Sequence, residues 1–174
     1  MLRRPTVRLF ALVAALAACG ATAACGSDAP KGTSATQIAQ LPKDFLTGTY
    51  LNLTPHRENV KSDLKNQDAN AYISAVGLYS LRKGDQLEAT LQISRLSNKA
   101  RPKDKAFREQ VANQIGGTKV QSFVMGDHDV YRSSQRKQSL TSWFEGRYFL
   151  ILAVRDSYKT PRTLLRTLVD EVRL

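Results

Sequence analysis

Alternating apolar and polar residues mark the middle of the chain as β structure. Between residues 87 and 94 the two kinds of side chain alternate one by one, as in a strand with one buried face. The preceding segment, residues 71–81, is rich in β-forming side chains, and Lys83-Gly84-Asp85 between the two segments predicts a turn. The pattern therefore predicts a β-hairpin whose second strand is half-buried.

Four shorter segments, separated by turn sequences, predict a meander of strands in the C-terminal half. They span residues 120–125, 128–133, 140–144 and 148–154. Gly126-Asp127 and Glu145-Gly146-Arg147 predict two of the turns between them. The segment from Tyr148 to Val154 is apolar on both faces, which predicts the most central strand of the sheet.

Two other segments have the spacing of helices. Phe107, Val111 and Ile115 recur every four residues, so they predict one face of a helix that ends at Gly116-Gly117. Near the C-terminus Thr160-Pro161 predicts a helix start, because proline suits the first helical position. The apolar face of this second helix is predicted to contain Leu164, Leu165, Leu168, Val169 and Val172.

Together these elements predict an α+β fold, a curved antiparallel sheet of about six strands with packed helices, including a C-terminal helix. We expect a single domain over residues 41–174, since about 130 residues can bury one core. Residues 19–40 are rich in Ala, Gly, Ser and Thr, which predicts a flexible tether in front of that domain.

The N-terminus has the organisation of an export signal. Three arginines lie within the first eight residues, and residues 9–18 form an apolar run that is too short to span a bilayer. Leu16-Ala17-Ala18-Cys19 then matches a lipobox, and in this segment the chain resembles bacterial lipoproteins. The resemblance implies that residues 1–18 are a signal peptide and that Cys19 carries a diacylglyceryl group. It also implies a lipid-anchored position on the outer side of the cell membrane or envelope.

Two alternatives remain open for this segment. Ala21-Thr22-Ala23 also offers a small-x-small cleavage site, which would release a freely secreted protein with a lone thiol at Cys25. Lipid attachment at Cys25 is the other, although Thr22 suits the lipobox less well than Leu16 does. The chain has only two cysteines, so acylation of Cys19 would leave no intrachain disulfide.

The chain is basic, with 26 Lys and Arg against 15 Asp and Glu. Three of the arginines precede Cys19, so the mature chain would carry a net charge of +8. Such a surface favours anionic partners, which for an exported protein are anionic lipid, wall polymer or another protein; nucleic acid is not expected. We predict a basic contact surface at Arg101, Lys103, Lys105, Arg136 and Lys137, within basic segments that also include Lys99, Arg108, Arg132 and Arg147. The alternative is an ordinary solvated surface.

Motifs for catalysis or metal binding are weak. Ser62-x-x-Lys65 and Ser134-x-x-Lys137 match the nucleophile motif of penicillin-binding enzymes, but its companion motifs are absent and chance matches are expected. Asp127-His128-Asp129 would bind a metal only if its side chains converged, whereas neighbours in a strand point to opposite faces. We therefore expect no enzymatic activity, metal or cofactor; a hydrolase that uses one Ser-x-x-Lys pair is the third-ranked hypothesis.

The order of elements resembles the PsbP/Mog1-like sandwich of some bacterial lipoproteins. The resemblance covers residues 71–174, with Trp143, Gly146 and Tyr148 at a turn that precedes the C-terminal helix. It implies a domain that binds or assists other proteins, although a fold does not by itself license a function.

The first hypothesis for function is a membrane-tethered, non-enzymatic domain that binds an anionic or protein partner in the envelope. The alternative is a small-molecule carrier or sensor with a pocket between sheet and helix. That pocket is predicted to be lined by Tyr72, Tyr79, Phe123, Trp143 and Phe149, which would otherwise be ordinary core residues.

Overall fold

The described part of the chain begins at Ile38 and has four internal gaps. The computed structural model describes residues 38–58, 72–116, 120–135, 138–172 and 174. Several sequence predictions fall wholly or partly outside these residues. They concern the signal peptide and the tether with Cys19 and Cys25, the Ser62-x-x-Lys65 and Ser134-x-x-Lys137 pairs, and Arg136.

Within these residues the chain forms eight strands and two helices, which confirms the predicted α+β class. The strands are β1 (Ala39–Gln40), β2 (Thr54–Glu58), β3 (Ile73–Lys83), β4 (Gln86–Leu96), β5 (Gln121–Met125), β6 (His128–Gln135), β7 (Gln138–Glu145) and β8 (Tyr148–Val154). The helices are α1 (Lys105–Gly116) and α2 (Pro161–Glu171). Gly84, Gly126 and Gly146 have positive φ angles in the turns that join neighbouring strands, a conformation that glycine adopts without strain.

The strands form one open sheet. Its order is β1-β3-β4-β8-β7-β6-β5, and β2 pairs with a separate part of the outer edge of β3. β1 runs parallel to β3, and the other pairs are antiparallel. β8 is fourth of the seven strands in this order, so the prediction that residues 148–154 form the central strand is confirmed.

The prediction of about six strands is wrong because it leaves out β1 and β2. β1 has two residues and falls at the end of the segment predicted as a tether. β2 has the sequence Thr-Pro-His-Arg-Glu, which contains no apolar alternation. Both strands join the sheet through backbone hydrogen bonds to β3, and such pairing needs no apolar face that a periodicity search could detect.

Each helix covers a different face of the sheet. The buried side of α2 packs against a core that includes Leu91, Trp143 and Leu152, and the predicted apolar face of this helix is confirmed. On the other face, Phe107 and Val111 of α1 pack in a second cluster with Phe144, Phe149 and Ile151. The Asp104 carboxylate accepts a hydrogen bond of 2.9 Å from the backbone N–H of Ala106, which caps the start of α1. The sheet is therefore the middle layer of three.

β4 is buried on both faces, whereas its alternation predicts a half-buried strand. Leu91 and Ile93 are fully buried on the α2 face, and Gln92 and Ser94 on the opposite face are only 2% and 0% exposed. The amide nitrogen of Gln92 donates to the Ser94 hydroxyl at 3.2 Å, so these two polar side chains bond to each other inside the protein. The pattern of one strand does not show that the sheet is covered on both sides.

Candidate ligand-binding cleft

A cleft lies between the sheet and the first turns of α2. Its volume of about 520 Å³ falls within the range of pockets that hold small organic ligands, roughly 300–1,000 Å³. Its described lining consists of Phe123, Val124, Arg132, Ser139, Thr141, Leu152, Val154, Arg155, Asp156, Tyr158, Pro161, Arg162 and Leu165.

The register of three strands builds the sheet side of the cleft. Arg132 of β6 pairs with Thr141 of β7, which pairs in turn with Leu152 of β8. Ser139 and Val154 form the next cross-strand pair toward one end of the sheet. Directly opposed residues of neighbouring strands share a face, so these five side chains form one patch.

The loop after β8 builds the helix side. The backbone N–H of Tyr158 donates to the carbonyl of Arg155 at 3.0 Å, which turns the chain soon after β8 ends. Pro161 then begins α2, and the N–H of Leu164 donates to the carbonyl of Thr160 at 3.1 Å. This turn sets Arg155 and Arg162 at the same cleft, although they belong to different elements.

The floor of the cleft is mainly apolar. Leu152, Val154 and Leu165 are buried there, and Phe123 and Tyr158 form half-buried sides. Thr141 adds one hydroxyl among these carbon atoms and is 8% exposed. Such a floor favours carbon-rich ligands, because contact removes apolar surface of both partners from water.

The rim of the cleft is positively charged. Among the described lining residues the charged side chains are Arg132, Arg155, Arg162 and Asp156, and all four residues are exposed. We refer to the three arginines as the rim arginines. Together with the carboxylate of Asp156 they give the rim a net charge of +2, so the rim attracts anions.

Two of the rim arginines are held in place by hydrogen bonds. The Nε of Arg132 donates to the Ser139 hydroxyl at 3.2 Å, and Nη1 of Arg155 donates to the carbonyl of Leu87 at 3.0 Å. Each contact uses one of the five N–H donors that a guanidinium offers. Arg162 makes no side-chain hydrogen bond or ion pair with any other residue in the described part of the chain.

The predicted contact surface lies in the loop before α1 and at its first residue. Arg101, Lys103 and Lys105 are exposed there, and Lys105 lies 3.8 Å from a Glu109 carboxylate oxygen. The guanidinium of Arg147 joins this loop by donating to the carbonyl of Ser97 at 2.8 Å. Arg136 and Lys137 are outside the described residues. The contact surface therefore remains a prediction.

Arg108, from the same basic segment, has a structural role. Its Nη2 lies 2.6 Å from the Asp129 carboxylate, and its Nη1 donates to the carbonyls of Pro102 and Lys103 at 3.0 and 3.2 Å. The side chain is 19% exposed. These contacts hold the loop before α1 against β6. The positive charge of Arg108 is therefore paired with Asp129 and is not offered to a partner.

The Asp127-His128-Asp129 segment does not converge on one point. The imidazole of His128 contacts the Glu145 carboxylate, whereas the Asp129 carboxylate contacts the guanidinium of Arg108 on α1. Asp127 is exposed. Within the described ranges no three or more His, Cys, Asp or Glu side chains are grouped so that they could hold a metal ion.

The five aromatics predicted to line a pocket are distributed over both faces of the sheet. Phe123 lines the cleft, and Tyr79 and Trp143 are fully buried in the core on the same face. Tyr72 and Phe149 belong to the cluster on the α1 face. The rim arginines were not part of the prediction, because they come from β6, the loop after β8 and α2 and no local pattern connects them.

Comparison with protein-family models, with curated proteins and with solved structures finds no match for this chain. In the described part of the chain, neither helix has the length and hydropathy that a membrane span requires.

Proposed function

We propose that this chain is an exported, lipid-anchored protein whose domain binds a small organic ligand in the cleft without catalysing a reaction. The observation that carries this proposal is the cleft itself, about 520 Å³ in volume, with an apolar floor and a charged rim. Concave surfaces that combine apolar walls with a few polar groups are the usual form of ligand sites.

The side chains at the cleft support binding rather than catalysis. The described hydroxyl groups that line it belong to Ser139, Thr141 and Tyr158, and the Ser139 hydroxyl already accepts a hydrogen bond from Arg132. No histidine, lysine or cysteine is among the described lining residues, and the one carboxylate there, Asp156, is exposed at the rim among arginines. Arginine binds anions well but stays protonated, which makes it a poor general base.

The anchoring part of the proposal rests on the sequence before the domain. Leu16-Ala17-Ala18-Cys19 resembles a lipobox and follows an apolar run of signal-peptide length. Two acyl chains on Cys19 would hold the protein stably on the outer side of the membrane. The basic surface at Arg101, Lys103 and Lys105 would then contact anionic lipid or another envelope partner. In the mature chain without its lipid, changing all three residues to glutamate should weaken binding to anionic vesicles.

We expect the N-terminal peptide from the membrane fraction to carry the mass of a diacylglyceryl group on Cys19. The thiol of Cys19 is the group that would carry the lipid, so the N-terminal region of a Cys19→Ser variant should carry no lipid. Mass spectrometry of the N-terminal peptide measures the modification in both proteins. A Cys25→Ser variant is the matched control and should keep the lipid. An unmodified N-terminus at Ala24 would mean free secretion instead.

Filling the cleft should abolish ligand binding while leaving the domain folded. Thr141→Phe places a ring among Leu152, Val154 and Leu165 on the floor, where a ligand would otherwise lie. The measurement is amide NMR of the mature chain titrated with decyl amphiphiles whose headgroups are neutral, cationic or anionic, all below their micelle concentrations. We expect at least one to shift cleft resonances in the wild type and none to do so in Thr141→Phe.

The matched control is Thr163→Phe, the same change at an exposed position of α2 that does not line the cleft. It should bind as the wild type does. If Thr141→Phe fails to fold, Ser139→Phe provides a second blocked cleft at a half-buried position. A wild-type protein whose cleft resonances stay fixed with every amphiphile would refute the proposal.

A further inference from the structure

We infer that the ligand of this cleft is an amphiphile with an anionic headgroup, bound by the rim arginines, and an apolar tail that lies on the floor. This inference rests on the proposed function and names the chemical class of its ligand. It follows from a separation of charge and carbon within one concave surface: three arginines at the rim, and Leu152, Val154 and Leu165 on the floor.

The rim arginines fit a carboxylate, sulfate or phosphate. A guanidinium is a planar fork of donors that matches two oxygens of such a group at once. Arg132 and Arg155 each spend one hydrogen bond on holding their position, at Ser139 and at the carbonyl of Leu87. That arrangement orients the guanidinium groups and leaves donors for a ligand, which reduces the ordering that binding would otherwise require.

Ion pairs with the described carboxylates do not explain the positions of the rim arginines. Arg108 shows the alternative, since it lies 2.6 Å from Asp129 and bonds to two backbone carbonyls. None of the rim arginines forms a salt bridge with a carboxylate in the described part of the chain. Asp156 shares the rim but does not neutralise it, and it should weaken anion binding by repulsion.

The apolar floor favours ligands with a hydrocarbon tail. Phe123 and Tyr158 flank it as half-buried side chains, so a carbon chain lying there would be covered on several sides. Each methylene that moves from water to such a surface should tighten binding about fourfold. A free inorganic anion would use the rim and leave the floor unused, so its affinity should be far lower.

Headgroup and tail are tested separately by calorimetric titration of the mature chain. Decanoate, decyl phosphate, decyl maltoside and decyltrimethylammonium share a tail but differ in charge, and acetate and inorganic phosphate lack the tail. We expect decanoate and decyl phosphate to bind at least tenfold more tightly than the neutral and cationic compounds and than the tailless anions.

Single substitutions assign the headgroup contacts. Arg132→Gln, Arg155→Gln and Arg162→Gln should each weaken decanoate binding about tenfold, since each removes a charge-assisted hydrogen bond. Arg166→Gln, one turn beyond Arg162 on α2 and outside the cleft, is the matched control and should bind normally. Asp156→Asn should tighten binding. If Arg155→Gln loses its fold along with its bond to Leu87, Arg162→Gln keeps the test intact, because its side chain has no described partner.

The same headgroup and tail could belong to an acid held in a membrane or to one free in water. Phosphatidylglycerol vesicles loaded with radiolabelled dodecanoate separate the two sources. The protein is incubated with the vesicles, the vesicles are removed, and the label on the protein is counted. Label on the protein would show a membrane-derived ligand, and binding of the free acid without such transfer would show a soluble one. Both results support the inference about the class of ligand.

Three outcomes would overturn it. If decyl maltoside binds as tightly as decanoate, the cleft is still a ligand site, but the preference for an anionic headgroup is refuted. If inorganic phosphate binds as tightly as decyl phosphate, the apolar tail makes no contribution and that part of the inference is refuted. Failure of every compound to bind would refute the proposed function together with this inference.

Discussion

Trp143→Ala should lower the free energy of unfolding by about 3–5 kcal/mol. Trp143 is fully buried in the core on the α2 face, and its cross-strand neighbours are Val130 and Leu150, which are also fully buried. Truncation therefore leaves a cavity that neighbouring strands, held in register by backbone hydrogen bonds, cannot collapse. Urea unfolding followed by circular dichroism measures the loss, because this substitution removes the one tryptophan of the chain.

Val124→Ala is the control for this result. Val124 lies on the edge strand β5 and is 71% exposed, so its truncation should change stability by less than about 0.5 kcal/mol. A loss of under about 1 kcal/mol for Trp143→Ala would show that α2 and the sheet close over the gap, which contradicts the rigid packing described above.

The nitrogen of Trp143 adds a second expectation at the same position. Its indole Nε1 is buried and has no hydrogen-bond partner within the described part of the chain. An unpaired buried donor costs about 1–3 kcal/mol, and Trp143→Phe would remove that donor while keeping an aromatic ring. We therefore expect this variant to lose less than half as much stability as Trp143→Ala. Equal losses for the two variants would contradict this expectation.

Gly77→Val should destabilise the domain by about 3 kcal/mol, with Gly77→Ala about 1–2 kcal/mol. A Cβ atom at Gly77 would lie 2.9 Å from Cε2 of Tyr79 and would overlap the Arg57 guanidinium. The ring of Tyr79 is fully buried and cannot move aside without disturbing the core. Larger side chains at this position must therefore displace Arg57 or deform β3, and urea unfolding of both variants measures the cost.

The side chain of Arg57 fills the space beside Gly77 and joins β2 to β3. Nη1 of Arg57 donates to the Tyr79 hydroxyl at 3.0 Å, and the guanidinium carbon lies 5.2 Å from the centre of the ring. Burial raises the pKa of the Tyr79 hydroxyl above its ordinary value, although the charge and hydrogen bond of Arg57 oppose the shift. The hydroxyl is therefore protonated at neutral pH and accepts the bond from arginine.

A double-mutant cycle separates the clash of a new Cβ atom at Gly77 with Arg57 from its clash with Tyr79. In Arg57→Ala the overlap with the guanidinium is absent, so Gly77→Ala should cost at least 0.5 kcal/mol less in that background than in the wild type. Gly48→Ala is a control for glycine replacement, because nothing lies within 4 Å of its added Cβ and its cost reflects the positive φ angle of 105°. Additive losses at Gly77 and Arg57 would show that the two side chains do not meet.

The regular elements follow from short-range patterns. The hairpin around Lys83-Gly84-Asp85 was predicted because β-forming segments flank a turn sequence, and β3 and β4 meet there. The C-terminal helix begins at Pro161 as predicted, since its start signal and apolar spacing are both local. The apolar run from 148 to 154 identified the central strand because a strand that is apolar on both faces is stable only where other elements cover both faces.

Local patterns did not reveal β1 and β2, which lie at one edge of the sheet, or the burial of both faces of β4. β2 is held by backbone pairing with β3, and its polar side chains give no sign of that partner. Thr90, Gln92 and Ser94 are buried although their alternation with apolar residues is typical of a solvated face. Burial depends on which elements pack over a strand, and that is settled by contacts between residues distant in the sequence.

Local patterns and composition were enough to predict the class of the fold, the central strand, the start of α2 and the basic character of the chain, because each depends on neighbouring residues or on composition. The packing of distant segments is what brings Arg132, Arg155 and Arg162 to one cleft and places Arg108 in an ion pair with Asp129. In the sequence nothing distinguishes these four arginines from one another. Their roles differ because strand register and the turn before α2 give three of them a common apolar floor and give the fourth a carboxylate.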